Sequence, residues 1–247
     1  MRDDLGAPVE LPAPPRRVVS LVPSLTEALA VTVPDRLVGA TDWCTHPAGL
    51  DVARVRGTKN PDRAAIAALA PDLVVANREE NRQLDVQRLR AAGIPVWVTV
   101  IESLDEALAS MRRLFTEVLA VGEPEWLRAA AHEWARPVPE PELRVAVPIW
   151  RDPWMAVGPR TFTGDLLRRL GLRTVVDHPE QRYPRVAPAD VDADVVLLPD
   201  EPYAFTADDG PEAFPGTRCV LVSGRDLTWY GPSLATARGR LLAATRG

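Results

Sequence analysis

The segment 60–100, NPDRAAIAALAPDLVVANREENRQLDVQRLRAAGIPVWVTV, decides the architecture, because its apolar residues change period from element to element. NPDRAAIAALA reads as a short helix with Asn60 as its cap and Pro61 in the first turn, where a missing N–H costs little. PDLVVA is a buried strand. NRQLDVQRLRAAG is a second helix, stopped at Gly93, and IPVWVTV is a second strand. Strands this short, separated by helices of this length, predict βαβ units and a parallel sheet.

The same grammar extends in both directions. Upstream, RVVSLV is a strand that runs into PSLTEALA, where Ser24 and Glu27 have capping-box spacing. RLVGA is another strand, and residues 42–60 have too little period for anything but a long loop. These pieces form an N-terminal αβ lobe over 16–101. Downstream, SLDEALASMRRLFTEVLAVG carries a second capping box, Ser103 to Glu106, and ends at Gly122. Leu104, Leu108, Met111, Phe115, Val118 and Leu119 recur at helical spacing. A helix from Ser103 to Val121 would span roughly 28 Å at 1.5 Å per residue, more than a crossover needs. It reads as a rigid bar between lobes.

PEWLRAAAHEWA adds one more helix, which completes a backbone section over 102–136, and the proline-rich RPVPEPEL closes it. RVAVPI, GDLLRRLG, DVVLLP, RCVLVS and PSLATARGRLLAAT then spell a C-terminal αβ lobe over 143–247. The expected fold class is α/β: two αβ lobes with parallel sheets joined by a long backbone helix.

Composition excludes several functions. A net charge of −5 with no basic cluster leaves no footprint for nucleic acid. The longest apolar runs are strand-sized, so no membrane insertion is expected. The start MRDDLGAPVELPAPPRRVVSL has no apolar run after a basic opening and no cysteine for a lipid, so the expected location is cytoplasmic. Among 29 lysines and arginines only Lys59 is a lysine, so arginine supplies nearly all the positive charge. Cys44 and Cys219 lie far apart, and either one disulfide or two thiols fits them.

In parallel sheets the loops after strand C-termini line the ligand crevice. Here they hold Trp43, Asn77 and Arg78 in one half, and Trp150, Arg151, Trp154, Tyr203, Phe205, Trp229 and Tyr230 in the other. Loops seldom carry so many large aromatics unless they face a ligand, and aromatics with few cations suit a large, flat, partly apolar one. DWCTH, residues 42–46, offers Asp42, Cys44 and His46, yet a closed metal site needs three or four ligands and no second pair has the spacing. Cys44 or His46 remains a candidate axial ligand to the metal of a bound cofactor. VPSLT lacks the glycines of a nucleophile elbow, so Ser24 reads as a helix cap and not as a nucleophile. No glycine-rich phosphate loop occurs. The expectation is a protein without enzymatic activity or intrinsic cofactor.

RVVSLVPSLTEAL, LVGATDWC, GTKNPDRAAIAALAPDLVVA, GIPVWV and SLDEAL, in that order, resemble the class III periplasmic substrate-binding proteins, receptors for cobalamin, ferric siderophores and haem. The resemblance continues through GPRTFTGDLLRRLGL, YPRVAPADV, DVVLLPDEPYAF and LTWYGPSL, so it covers nearly all of 16–245, and it is closest to the helical backbone metal receptors. It implies two αβ lobes on one long helix, with a metal chelate held in the cleft between them. By position it implies cleft aromatics at Trp43, Trp229 and Trp154, a rim loop at 77–80, and a second rim segment at Tyr183 and Pro184.

Family members also present one glutamate per lobe to an ABC permease. Those positions fall on Gln83 and Ala189 here, with Glu79, Glu80 and Asp190 nearby, so permease docking is not the expected role. The importer component is the alternative. A third is an enzyme acting on a corrinoid or tetrapyrrole, although the acid–base histidine pair of a chelatase is missing.

Overall fold

The computed structural model describes residues 1–246 and divides into two compact units. Unit 1 comprises Met1–Ile101, Glu106–Arg128 and Tyr230–Pro232; unit 2 comprises Glu102–Asp105, Ala129–Trp229 and the chain from Ser233 onward.

Unit 1 is built on strands β1 (Val18–Ser20), β2 (Leu37–Ala40), β3 (Ala53–Arg54), β6 (Leu73–Asn77) and β7 (Val96–Thr99), in the order β3-β2-β1-β6-β7. Every pairing in this sheet is parallel. A separate two-residue-turn hairpin joins β4 (Arg56–Gly57) to β5 (Asn60–Pro61). Helices α1 (Pro23–Thr32), α2 (Arg63–Ala68) and α3 (Gln83–Ala91) flank the sheet. Val19, Val74, Ala76 and Val98 of the strands pack with Ile66 and Leu89 of the helices into one core.

The sheet edge at β7 is covered by the amino-terminal arm. Asp4 N donates to Val98 O at 3.1 Å, and the Asp4 carboxylate accepts from Val100 N, Ser110 Oγ and Arg113. The buried Asp3 carboxylate accepts from Leu5 N and Ala7 N and pairs with Arg90 at 2.5 Å.

Three sequence expectations shift in detail. Helix α1 begins at Pro23 after Val22, with no side-chain cap; Ser24 is buried in its first turn and is not a capping residue. The Thr26 hydroxyl instead returns to Val22 O at 2.9 Å. Asn60 does not cap α2 either. Asn60 and Pro61 form β5, and the Asp62 side chain accepts from Ala65 N at 3.0 Å, because its carboxylate stands at the residue that flanks the first free N–H groups. The supposed loop 42–60 contains β3 and the hairpin, whose two-residue strands are too short to show any period.

The backbone helix is also shorter than its pattern. Helix α4 (Leu104–Arg113) passes into a π turn, Leu114–Val118, and stops there. Arg36 Nη1 donates to Leu119 O at 2.7 Å, and Ala120 at φ +52° and Gly122 at φ +82° turn the chain away. The apolar spacing continues past the helix because Leu119 is still core. Helix α5 (Glu125–Trp134) follows.

Unit 2 carries β8 (Leu143–Ala146), β11 (Leu172–Thr174), β12 (Val195–Pro199) and β13 (Arg218–Val222) in the parallel order β11-β8-β12-β13. After β8 comes an antiparallel pair, β9 (Pro148–Trp150) with β10 (Met155–Ala156). Helix α6 (Phe162–Arg169) is capped by Thr161, whose hydroxyl accepts from Gly164 N at 2.9 Å. A Cβ at Gly164 would sit 2.6 Å from the carbonyl oxygens of both Gly158 and Pro159, so only glycine closes this turn. The short helix α7 (Gly224–Thr228) went unread in the sequence; α8 (Leu234–Arg246) ends the description.

Candidate ligand-binding loops

Because β1, β2 and β6 are parallel, their C-terminal loops gather at one end of unit 1. The loop after β6 is built by asparagines. Asn77 Oδ1 accepts from Glu79 N at 2.8 Å and Glu80 N at 3.3 Å, while Asn77 Nδ2 donates to Thr99 Oγ1. Asn81 reaches further: its Oδ1 accepts from Asn77 N at 2.9 Å, and its Nδ2 donates to Leu21 O after β1 and to Thr58 O in the hairpin. One buried amide therefore holds three segments in register. Asn77, singled out as a ligand contact, spends its side chain on the loop itself, and Asn81 was missed. The spacing N-x-x-x-N was the available signal, but an amide that bridges remote carbonyls has no local signature.

On this scaffold stands Trp43, 68% exposed, in the turn after β2. A Cβ on Gly57 would lie 3.2 Å from Trp43 Nε1, so the glycine lets the indole rest against the hairpin. Arg78 and Glu79 are exposed beside it. Lys59, on the hairpin, donates from Nζ to Glu79 O at 2.6 Å.

Tyr230 is buried and not presented. Its hydroxyl donates to Glu80 Oε1 at 3.2 Å. Burial pushes the phenol well above its usual range, and the negative charge of Glu80 adds to the rise. Gly231 continues this contact, since a Cβ there would stand 3.0 Å from Ser24 O.

In the DWCTH segment Cys44 and His46 each pair with threonine hydroxyls. Cys44 is fully buried, with Thr26 Oγ1 donating to its Sγ at 3.0 Å and Thr41 Oγ1 sharing a hydrogen bond with it at 3.1 Å. Burial raises its thiol above the usual value despite those hydrogen bonds, which favours the protonated form. His46 Nδ1 pairs with Thr45 Oγ1 at 3.2 Å. Among the described residues no three His, Cys, Asp or Glu side chains are grouped to hold a metal ion. Cys44 and Cys219 are both free thiols.

In unit 2 the loops after β9 and β12 meet in an aromatic cluster. Trp154 stacks on Phe205 at 5.6 Å and meets Phe214 edge-on at 5.3 Å, in the core beneath the sheet end. Tyr203 packs on Phe205 and donates from its hydroxyl to Asp209 at 2.6 Å. Trp150 meets Tyr203 edge-on at 5.8 Å and remains 45% exposed.

Arg151 lies over the Trp154 ring at 5.0 Å and pairs with Asp209 and with Glu212, the latter at 2.9 Å. This candidate crevice arginine is thus charge-paired within its own unit. Trp229 is buried and Tyr183 half-buried. Beside Tyr183 runs a groove of about 800 Å³ lined by Thr174, Val176, His178, Pro184, Arg185 and Val191 among others.

Taken together, these are two parallel α/β units whose strand-end loops carry aromatics, the fold of the periplasmic binding proteins. The resemblance to the class III periplasmic substrate-binding proteins stands. In sequence the chain is 34% identical over 104 residues to the vitamin B12-binding protein of Pectobacterium carotovorum subsp. carotovorum (strain PC1), covering 41% of this chain and 38% of that protein. It is 29% identical over 125 residues to the vitamin B12-binding protein of Vibrio cholerae serotype O1 (strain ATCC 39541), covering 50% and 44%. These matches thus span less than half the length of either relative. No family model matches.

In structure it is similar to the periplasmic vitamin B12 binding protein of Vibrio cholerae (TM-score 0.74, 18% identity, 95% of this chain and 99% of that one). It is likewise similar to the periplasmic heme-binding protein RhuT from Roseiflexus sp. RS-1 (TM-score 0.77, 20% identity, 93% and 97%).

One expectation is overturned by these likenesses. A cytoplasmic location was read from the first residues, but the proteins of the same fold are named as periplasmic. The opening of the chain is no ground for assigning a compartment. No helix among the described residues is long and apolar enough to cross a membrane.

Proposed function

We propose that this chain binds a metal chelate of the corrinoid or tetrapyrrole class, without turning it over, through exposed aromatic residues at its strand ends. The observation that carries this reading is the exposure of two indoles near strand ends, Trp43 after β2 and Trp150 as the last residue of β9. Each presents a flat apolar face that water solvates poorly and that a macrocycle would cover. The names of the relatives, vitamin B12-binding and heme-binding, support the same ligand class.

Aromatic contact supplies the affinity in this reading, and the polar groups of the 77–81 loop orient the ligand. Tyr183 and Trp229 are proposed as secondary contacts. The metal enters already chelated, since Cys44 is closed to it. Titration of the purified protein with cobalamin, haem and ferric siderophores, followed by tryptophan fluorescence, tests the proposal. Saturable quenching at micromolar or lower ligand is expected for at least one of the first two, and a flat response to all of them would refute it.

A further inference from the structure

We infer that Lys59 is the charged specificity contact of the unit 1 loops and takes an anionic oxygen, carboxylate or phosphate, from the periphery of the ligand. This rests on the chelate-binding reading above and adds to it which part of the ligand is recognised.

Lys59 is the sole lysine among 29 lysines and arginines. It occupies the turn of the β4–β5 hairpin, the element against which the exposed Trp43 rests. The hairpin is fixed at that turn by Asn81 Nδ2 donating to Thr58 O at 3.0 Å. The side chain itself is exposed, and its Nζ donates to the backbone carbonyl of Glu79 at 2.6 Å.

An ammonium has three donors, and one bond to a carbonyl leaves two for another acceptor while adding no countercharge. Two other cations near candidate loops, Arg151 and Arg56, are spent differently. Arg151 is neutralised by Asp209 and Glu212, and Arg56 faces Asp62 at 3.5 Å. Lys59 thus keeps its full charge and part of its donor capacity, beside an indole that would hold the macrocycle.

Two pairs of probes separate the sources of the anion. Haem carries propionate carboxylates and its dimethyl ester does not; cobalamin carries a phosphodiester and cobinamide does not. Each is titrated into the wild type, Lys59→Met and Lys59→Arg. In Lys59→Met the acid-bearing member of one pair should bind about fivefold more weakly, the scale of one exposed charge contact. Its neutral partner should be unchanged, and Lys59→Arg should recover most of the loss. Loss confined to haem identifies a carboxylate, and loss confined to cobalamin a phosphate.

If Lys59→Met weakens both members of a pair equally, or neither, the lysine serves only to pin the loop, and the inference fails while chelate binding survives. If no probe binds the wild type, the functional proposal and this inference fall together.

Discussion

The strand-end loops of unit 1 and unit 2 look alike in sequence and differ in construction. Both lie at strand ends and both carry aromatic and acidic residues. In unit 1 the loops are braced by polar bonds from Asn77 and Asn81, which leaves Trp43 standing on the surface. In unit 2 the aromatics brace one another: Trp154, Phe205, Phe214 and Tyr203 fill the space under the loops, and only Trp150 reaches well into solvent. Amide hydrogen bonds can hold a loop without occupying its outer face, whereas aromatic packing consumes the side chains that might have met a ligand.

This contrast breaks most easily at its load points. Trp154→Ala removes a ring packed against two phenylalanines and should cost about 3 kcal/mol in denaturant unfolding, the range of large core truncations. A loss below about 1 kcal/mol would mean that Trp154 is presented as Trp43 is.

Asn81→Ala comes next. It strands Asn77 N, Leu21 O and Thr58 O and should cost about 2 kcal/mol. Ligand quenching of Trp43 should weaken in the same variant, because the hairpin beneath the indole is released. Unchanged quenching would show that the hairpin holds its place without Asn81.

A third test uses pH. The folded protein keeps the Tyr230 phenol un-ionised, through burial first and the charge of Glu80 second. The raised folded value means that its contribution to stability is complete below the unfolded phenol's value of about 10 and is lost as pH climbs above it. Tyr230→Phe should therefore flatten the alkaline limb of the stability curve, measured by unfolding from pH 8 to 11. An identical limb in the variant would remove Tyr230 from the account. The smallest effect on folding belongs to Trp43→Ala, expected within about 0.5 kcal/mol of wild type while the Trp43 share of the ligand quenching disappears.

Much of the molecule was readable in advance. Strands β6 and β7 and the helices around them were plain because a buried parallel strand needs a run such as LVVA, and a flanking helix needs the 3.6-residue spacing of QLDVQRL. Helix starts were less legible. Ser24 and Asn60 have the right chemistry for caps, but Pro23 already starts α1 and the hairpin claims Asn60. The backbone helix was overread because Leu119 stays in the core after the helix has ended.

At the candidate site the sequence picked out the aromatic positions and could not rank them. Trp43 and Trp154 are equivalent by composition, yet one is exposed and the other stacked. Arg151 resembled a ligand contact until Asp209 and Glu212, 58 and 61 residues away in the chain, closed on it.

By itself, then, the sequence determined the α/β class, the order of the elements and the loops on which a site could form, since each depends on local period and on the burial each strand demands. The tertiary structure alone decided which side chains on those loops remain available. Availability depends on bonds such as Asn81 to Leu21, Lys59 to Glu79 and Tyr230 to Glu80, which join residues between 20 and 150 positions apart and leave no trace in local spacing.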